Sequence, residues 1–252
     1  MQKSLKNYII KLLRLTKGKI MKDKLLNKIV FGLNIALIVA LCVINFFYQR
    51  ADFNDTLKFI GSSCFAAQGL INLFYAYKTK QANMKFFVIM AIGLIFAMAG
   101  DVAIEFMFVA GAGLFAVGHV WFIFAYCALN DFKWKDLIYG GVIFAGAGLF
   151  ILLFKGLKFN PELMKWVCLI YALIISIMLG KAISNLVRER SVLNILLVVG
   201  AVLFFFSDLM LLLNNFMGTL SWTLHACLGT YFPALSILAF SMFYKINWAA
   251  KK

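Results

Sequence analysis

The chain is poor in charge, in helix breakers and in histidine. Asp, Glu, Lys and Arg make up 14% of its 252 residues, against roughly 25% in an ordinary soluble domain. With 64% hydrophobic residues and a mean hydropathy of +0.92, that scarcity excludes a soluble globular fold. There are two prolines, Pro161 and Pro233. The apolar runs are long, which excludes a β-barrel whose strands would alternate over about 10 residues. Cys42, Cys64, Cys127, Cys168 and Cys227 lie singly within apolar stretches; without CxxC or metal-type spacing they read as small buried apolar residues. Acidic residues number ten against 25 basic ones, for a net charge of +15. In a soluble protein that excess would point to nucleic acid. Here the cations sit at the N-terminus and between apolar runs, where membrane topology accounts for them, so no nucleic-acid partner is expected.

What is abundant is membrane-spanning sequence. Eight apolar segments, near 29–48, 57–77, 86–105, 108–129, 136–154, 163–183, 192–213 and 219–244, each reach the roughly 20 residues that cross a bilayer at about 1.5 Å per residue. Their connections are short and polar, as in K-T-K-Q-A-N-M-K and S-N-L-V-R-E-R-S, so any chemistry lies within the bundle or at its mouth. Residues 1–28 are basic and partly amphipathic, without the compact apolar core and small-residue cleavage site of a signal peptide. They are expected on the cytoplasmic surface, drawn by anionic lipid; a simpler reading makes Met21 the true start. Residues 29–245 then form the transmembrane domain and 246–252 a short cytoplasmic tail. With the N-terminus inside, 20 of the 25 Lys and Arg collect on one side, which predicts cytoplasmic termini.

The stretch that organises the rest runs from Phe96 to Tyr126 and carries Asp101, Glu105 and His119 inside apolar sequence. An ionisable group at such depth costs a few kcal/mol on insertion scales and usually faces a polar cavity. A similar stretch follows from Phe204, with Asp208, His225 and Tyr231. Asp101 precedes His119 by 18 positions, Asp208 precedes His225 by 17, and a tyrosine, Tyr126 or Tyr231, follows each histidine. The chain has no other histidines. Segments three and four thus match seven and eight, an offset of four that preserves orientation. The expected fold is an all-α polytopic membrane protein, its eight transmembrane helices a parallel 4+4 internal repeat with sites at the repeat interface.

Counting along the helices puts Asp101 about 22 Å into a core of about 30 Å. Asp208 lies at nearly the same level, His225 at that level from the far side, and His119 deeper. Glu105 shares a face with Asp101 at i+4, Tyr126 one with His119, and Asn215 one with Asp208. Two carboxylates are therefore expected to converge in the outer third of the bilayer, with imidazole, amide and phenol groups near. The bland readings stand beside this one. A lone intramembrane Asp or His can simply hydrogen-bond a neighbouring helix, Gly100, Gly111, Gly113 and Gly118 suit close helix contacts, and Glu105 can sit at the interface in contact with water.

The pattern A-G-D-V-A-I-E…G-L-F-A-V-G-H-V-W-F-I-F-A-Y, followed by G-A-V-L-F-F-F-S-D-L-M-L…F…Y, resembles the YhhN-like membrane family, which includes the lysoplasmalogenases. The resemblance runs from about Gly32 to Phe243 and is strongest over 93–126 and 200–232, with Asp101, His119 and Asp208 on the family's G-D, H and S-D positions and Tyr231 near its late tyrosine. It implies hydrolysis of the vinyl ether bond of a lysoplasmalogen to a fatty aldehyde and a glycerophospho head group. The chemistry begins with protonation of the β carbon and passes through an oxocarbenium ion, which resembles the two-carboxylate logic of glycosidases. On this expectation Asp101 and Asp208 are the acid and the stabiliser or base, His119 and Tyr231 orient water or relay protons, and Glu105, Tyr126, Asn215 and His225 contact the substrate. A lysophospholipid would enter from the bilayer and meet water. No metal and no cofactor is expected, and the bacterial cytoplasmic membrane is the expected location. Two other classes fit parts of the pattern. A proton-coupled transporter or lipid flippase would use the same aspartates as ion sites. A zinc hydrolase would need His119 and His225 together with the aspartates, yet these histidines lie at different depths.

Overall fold

The computed structural model describes residues 2–48, 55–218 and 221–248, with side chains from Asp23 onward, Ser221 excepted. All its regular structure is helical: α1 (Gln2–Tyr48), α2 (Asp55–Lys78), α3 (Met84–Phe106), α4 (Phe108–Cys127), α5 (Trp134–Leu153), α6 (Leu163–Arg188), α7 (Val192–Phe216) and α8 (Ser221–Asn247). Eight helices among the described residues are long and apolar enough to cross a membrane. Seven of the eight expected segments fall within a few residues of the observed helices at their starts. The connection 49–54, the expected start of the last segment at 219, and most of the tail lie outside the described residues.

Two helices run past the limits of their apolar segments. α1 is unbroken for 47 residues, across the change from basic to apolar sequence at residue 28. Lys22 to Val30 contains neither Gly nor Pro and is built of good helix formers, so nothing local ends the helix where polarity changes. At about 70 Å, α1 is more than twice as long as the hydrocarbon core is thick. Likewise α6 continues to Arg188, through half of the expected loop. Its last turns are polar, and three of their side chains converge on Asp136. Lys181 Nζ donates to Asp136 Oδ2 at 2.9 Å and to the Asn130 carbonyl at 2.7 Å, Ser184 Oγ donates to Asp136 Oδ1 at 2.6 Å, and Arg188 also binds Asp136. Lys181, one of the 20 cations that the charge count puts on the cytoplasmic side, is fully buried.

Caps and close approaches set the helix ends. Asn83 accepts from the Phe86 amide and Ser191 from the Asn194 amide, satisfying donors that the first turns of α3 and α7 leave open. Between α3 and α4 only Met107 is extended. The chain turns so tightly there that a Cβ on Gly111 would lie 2.6 Å from the Ile104 Cα, so α4 can fold back on α3 only with glycine at 111.

The helices associate as hairpins, α3 with α4, α5 with α6 and α7 with α8. α2 lies between α1 and α3 and also meets α8; α6 lies between α5 and α7 and also meets α4. Asn72 of α2 donates to the Ala239 carbonyl of α8 at 2.9 Å, and Asn185 of α6 donates to the Tyr126 carbonyl of α4 at 2.9 Å. The two outer helices differ. α1 rests on α2 and α8, whereas α5 rests on α6 and makes no comparable contact with α4. The main apolar core joins α1, α2, α3, α4, α6, α7 and α8. A smaller cluster around Ile151, Cys168, Leu169 and Phe216 lies apart from it, between α5, α6 and α7.

Candidate functional site

Asp101 is buried near the end of α3. Its Oδ2 accepts a hydrogen bond from Tyr231 of α8 at 2.7 Å and another from Ser62 of α2. Three helices therefore meet on one carboxylate oxygen. The Tyr231 ring is clamped in place by edge contacts with Phe65, Phe115 and Phe204. One turn beyond Asp101, Glu105 forms an ion pair with Lys58, which lies one turn before Ser62 on α2.

Asp208 on α7 repeats this arrangement with other groups. Its Oδ2 accepts from Tyr171 Oη of α6 at 2.7 Å and lies 3.2 Å from His119 Nε2 of α4; the same Nε2 lies 2.9 Å from Tyr171 Oη. The three atoms form a closed triangle. With an ionised Asp208, the phenol and imidazole N–H both point to the carboxylate, which assigns the ring proton to Nε2. His119 Nδ1 is buried and has no partner among the described protein atoms. Phe204, 4.5 Å away between centroids, packs against the imidazole.

Both carboxylates line one cavity of about 290 Å³, together with Lys58, Glu105, Asn215 and Tyr231. The sequence-predicted residues therefore divide. Asp101, Asp208, Tyr231, Glu105 and Asn215 are at the cavity, although Asn215 spends its amide on the Leu211 carbonyl at 2.8 Å. His119 stands behind Asp208. Tyr126 and His225 are not among the cavity's walls. Tyr126 is wholly buried, and its hydroxyl has no partner among the described residues. His225 is exposed. It precedes Tyr231 by six residues, which turns it about 240° around α8 from the face that carries Tyr231. The expected equivalence of the two histidines is thereby corrected: the α8 group that reaches an aspartate, as His119 does from α4, is Tyr231.

Three site residues escaped the sequence reading: Ser62, Lys58 and Tyr171. A signal for two of them existed. Ser62 precedes Asp101 by 39 residues and Tyr171 precedes Asp208 by 37, so a nearly equal step back from each aspartate finds a hydroxyl.

A second, narrower space of about 80 Å³ reaches Asp208 from the other side. It is lined by hydrocarbon from α4, α5, α6 and α7, and it shares Phe108, Phe115, Asp208 and Leu211 with the polar cavity. Among the described residues no group of His, Cys, Asp and Glu is arranged to hold a metal ion. The site can thus present two carboxyl groups and water to a molecule that is polar at one end and apolar at the other.

The sequence model of the YhhN family matches residues 58–242, which takes in both aspartates and leaves α1 outside. No curated protein and no solved structure matches the chain.

Proposed function

The chain belongs to the YhhN family, and from that premise and the geometry around Asp101 and Asp208 we propose a lysoplasmalogenase-like hydrolase of vinyl ether bonds. The observation that carries the reading is the pair of aspartates, each tethered by donors from two other helices, facing one cavity that adjoins an apolar groove. In the proposed reaction one carboxylic acid gives its proton to the β carbon of the vinyl ether. The α carbon becomes an oxocarbenium ion, and the other carboxylate stabilises it and takes a proton from the water that adds there. The hemiacetal then gives its hydroxyl proton, relayed through a carboxyl group, to the glycerol oxygen as the bond to that oxygen breaks, leaving the fatty aldehyde and the free glycerol hydroxyl. The acid that began the cycle is restored by the proton the second carboxyl releases. Fixed donors around each carboxylate lower the reorganisation such charge movement requires.

The reading includes a parallel 4+4 repeat. It is supported by the matching contacts of α2 with α8 and of α6 with α4, and by the asparagine bonds each pair contains. The Lys/Arg bias supports cytoplasmic termini, which would open the cavity toward the other face.

The test uses purified protein with a lysoplasmalogen and, as control, a saturated lysophospholipid. Fatty aldehyde is expected from the first substrate alone, and its release should vanish in Asp101→Asn. Absence of aldehyde from folded wild-type protein would refute the assigned reaction.

A further inference from the structure

We infer that the narrow groove between α4 and α5 is the subsite for the substrate's single hydrocarbon chain, entered sideways from lipid and ending at Ile175. This assignment rests on the hydrolase reading for its choice of ligand, but the groove itself is a feature of the helix arrangement. α1 closes against α8, while α5 stays off α4, so one side of the bundle keeps a slot that the other side fills with protein. The slot is walled by Phe108 of α4, Ala147 and Phe150 of α5, and Tyr171 and Ile175 of α6. Leu149, at 55% exposure, and Leu153, at 71%, flank it on the outer face of α5, where a lipid tail lies if the bundle is in a membrane.

The dimensions and chemistry select the occupant. At about 80 Å³ the slot is too small for a helix, and its hydrocarbon walls suit the carbons of one slender chain. Asp208 is the slot's one charged wall residue, so an occupant must be apolar along its length and polar only where it meets Asp208. There the slot joins the polar cavity with Lys58, Glu105 and Asp101. A lipid with one chain in the slot has its first chain carbons, where a vinyl ether bond lies, beside Asp208, and its head group in the cavity that Asp101 also lines. Ile175, 3% exposed, forms the end farthest from the mouth in the register of α6.

The experiment uses the full-length protein in nanodiscs and a single-chain alkyl ether lysophospholipid with a diazirine at the chain terminus. This probe lacks the vinyl ether and cannot be cleaved. Photolabelling should map to α5 and α6 around Ala147 and Ile175, weaken about tenfold in Ala147→Phe, and persist in Val142→Phe, whose side chain lies on the exposed side of the same helix. In parallel, aldehyde release is measured across chain lengths. Ala147→Phe should raise KM about tenfold for long chains and less for short ones, and Ile175→Ala should shift the optimum to longer chains. Label elsewhere, or an unaltered chain-length profile in both variants, overturns the subsite. Label in the slot with no aldehyde from any chain length keeps the subsite and overturns the hydrolase reading instead.

Discussion

Around Asp101 the donors are Ser62 and Tyr231, and beyond them stand Lys58 and Glu105. Around Asp208 they are Tyr171 and His119, and the next surface is the hydrocarbon of the narrow groove. Both aspartates accept one hydroxyl from the helix that precedes their own and one group from a helix further away. What differs is the second neighbourhood: besides the cavity that both line, Asp101 has the Lys58–Glu105 ion pair close by, and Asp208 has the apolar groove. The comparison teaches that one arrangement of three helices can hold a carboxylate in two chemical surroundings, and two carboxyl groups with different surroundings suit acid and base roles.

The most severe way to break the comparison is to neutralise either carboxylate. Asp101→Asn and Asp208→Asn should each lower kcat by three orders of magnitude or more while the protein still purifies as a folded species; full turnover in one of them would leave a single aspartate with the chemistry. His119→Gln comes next. Loss of the imidazole should cut kcat by about 10²-fold, in the range of a positioned proton-transfer group, with KM little changed, and a pure KM effect would count against contact through Asp208. Tyr231→Phe and Tyr171→Phe sharpen the comparison further. Each removes a hydrogen bond to a carboxylate, worth about 1.5–3 kcal/mol, so each should slow turnover by about 10- to 10²-fold, and the double variant shows whether the two settings act independently. The smallest effect on chemistry is expected far from either aspartate. Lys181→Ala breaks a buried ion pair with Asp136 and should lower stability by about 3 kcal/mol, read as thermal unfolding in detergent, with the activity of the folded fraction intact.

Much of the architecture is legible because lipid imposes it. A bilayer demands about 20 apolar residues per crossing, so the helices announce themselves as runs, and an aspartate inside a run stands out. The partners of those aspartates do not. Ser62 and Tyr171 belong to residue types common in any transmembrane helix, and only the matched spacing upstream of each aspartate marks them. Lys58, at the start of the second apolar segment, reads as one more boundary cation although it is an ion-pair partner at the cavity. His225 misleads for a geometric reason: depth along a helix can be counted, but facing depends on 100° per residue, and six residues from Tyr231 is the wrong remainder. Lys181 misleads because a helix end and a loop start look alike when the polar side chains find partners, as this one does in Asp136.

The partners of the two aspartates are also separated in time. Tyr231 follows Asp101 by 130 residues, whereas His119 and Tyr171 precede Asp208 by 89 and 37. During synthesis at about 5–20 residues per second, Asp101 enters the bilayer with Ser62 alone and waits on the order of ten seconds for its phenol. Asp208 arrives to find both partners in place. A chain arrested before α8 therefore holds Asp101 without one of its two hydroxyl donors. Tyr231 serves in this sense as the closing latch of biogenesis, and the last helix to be made completes the first acid to be inserted.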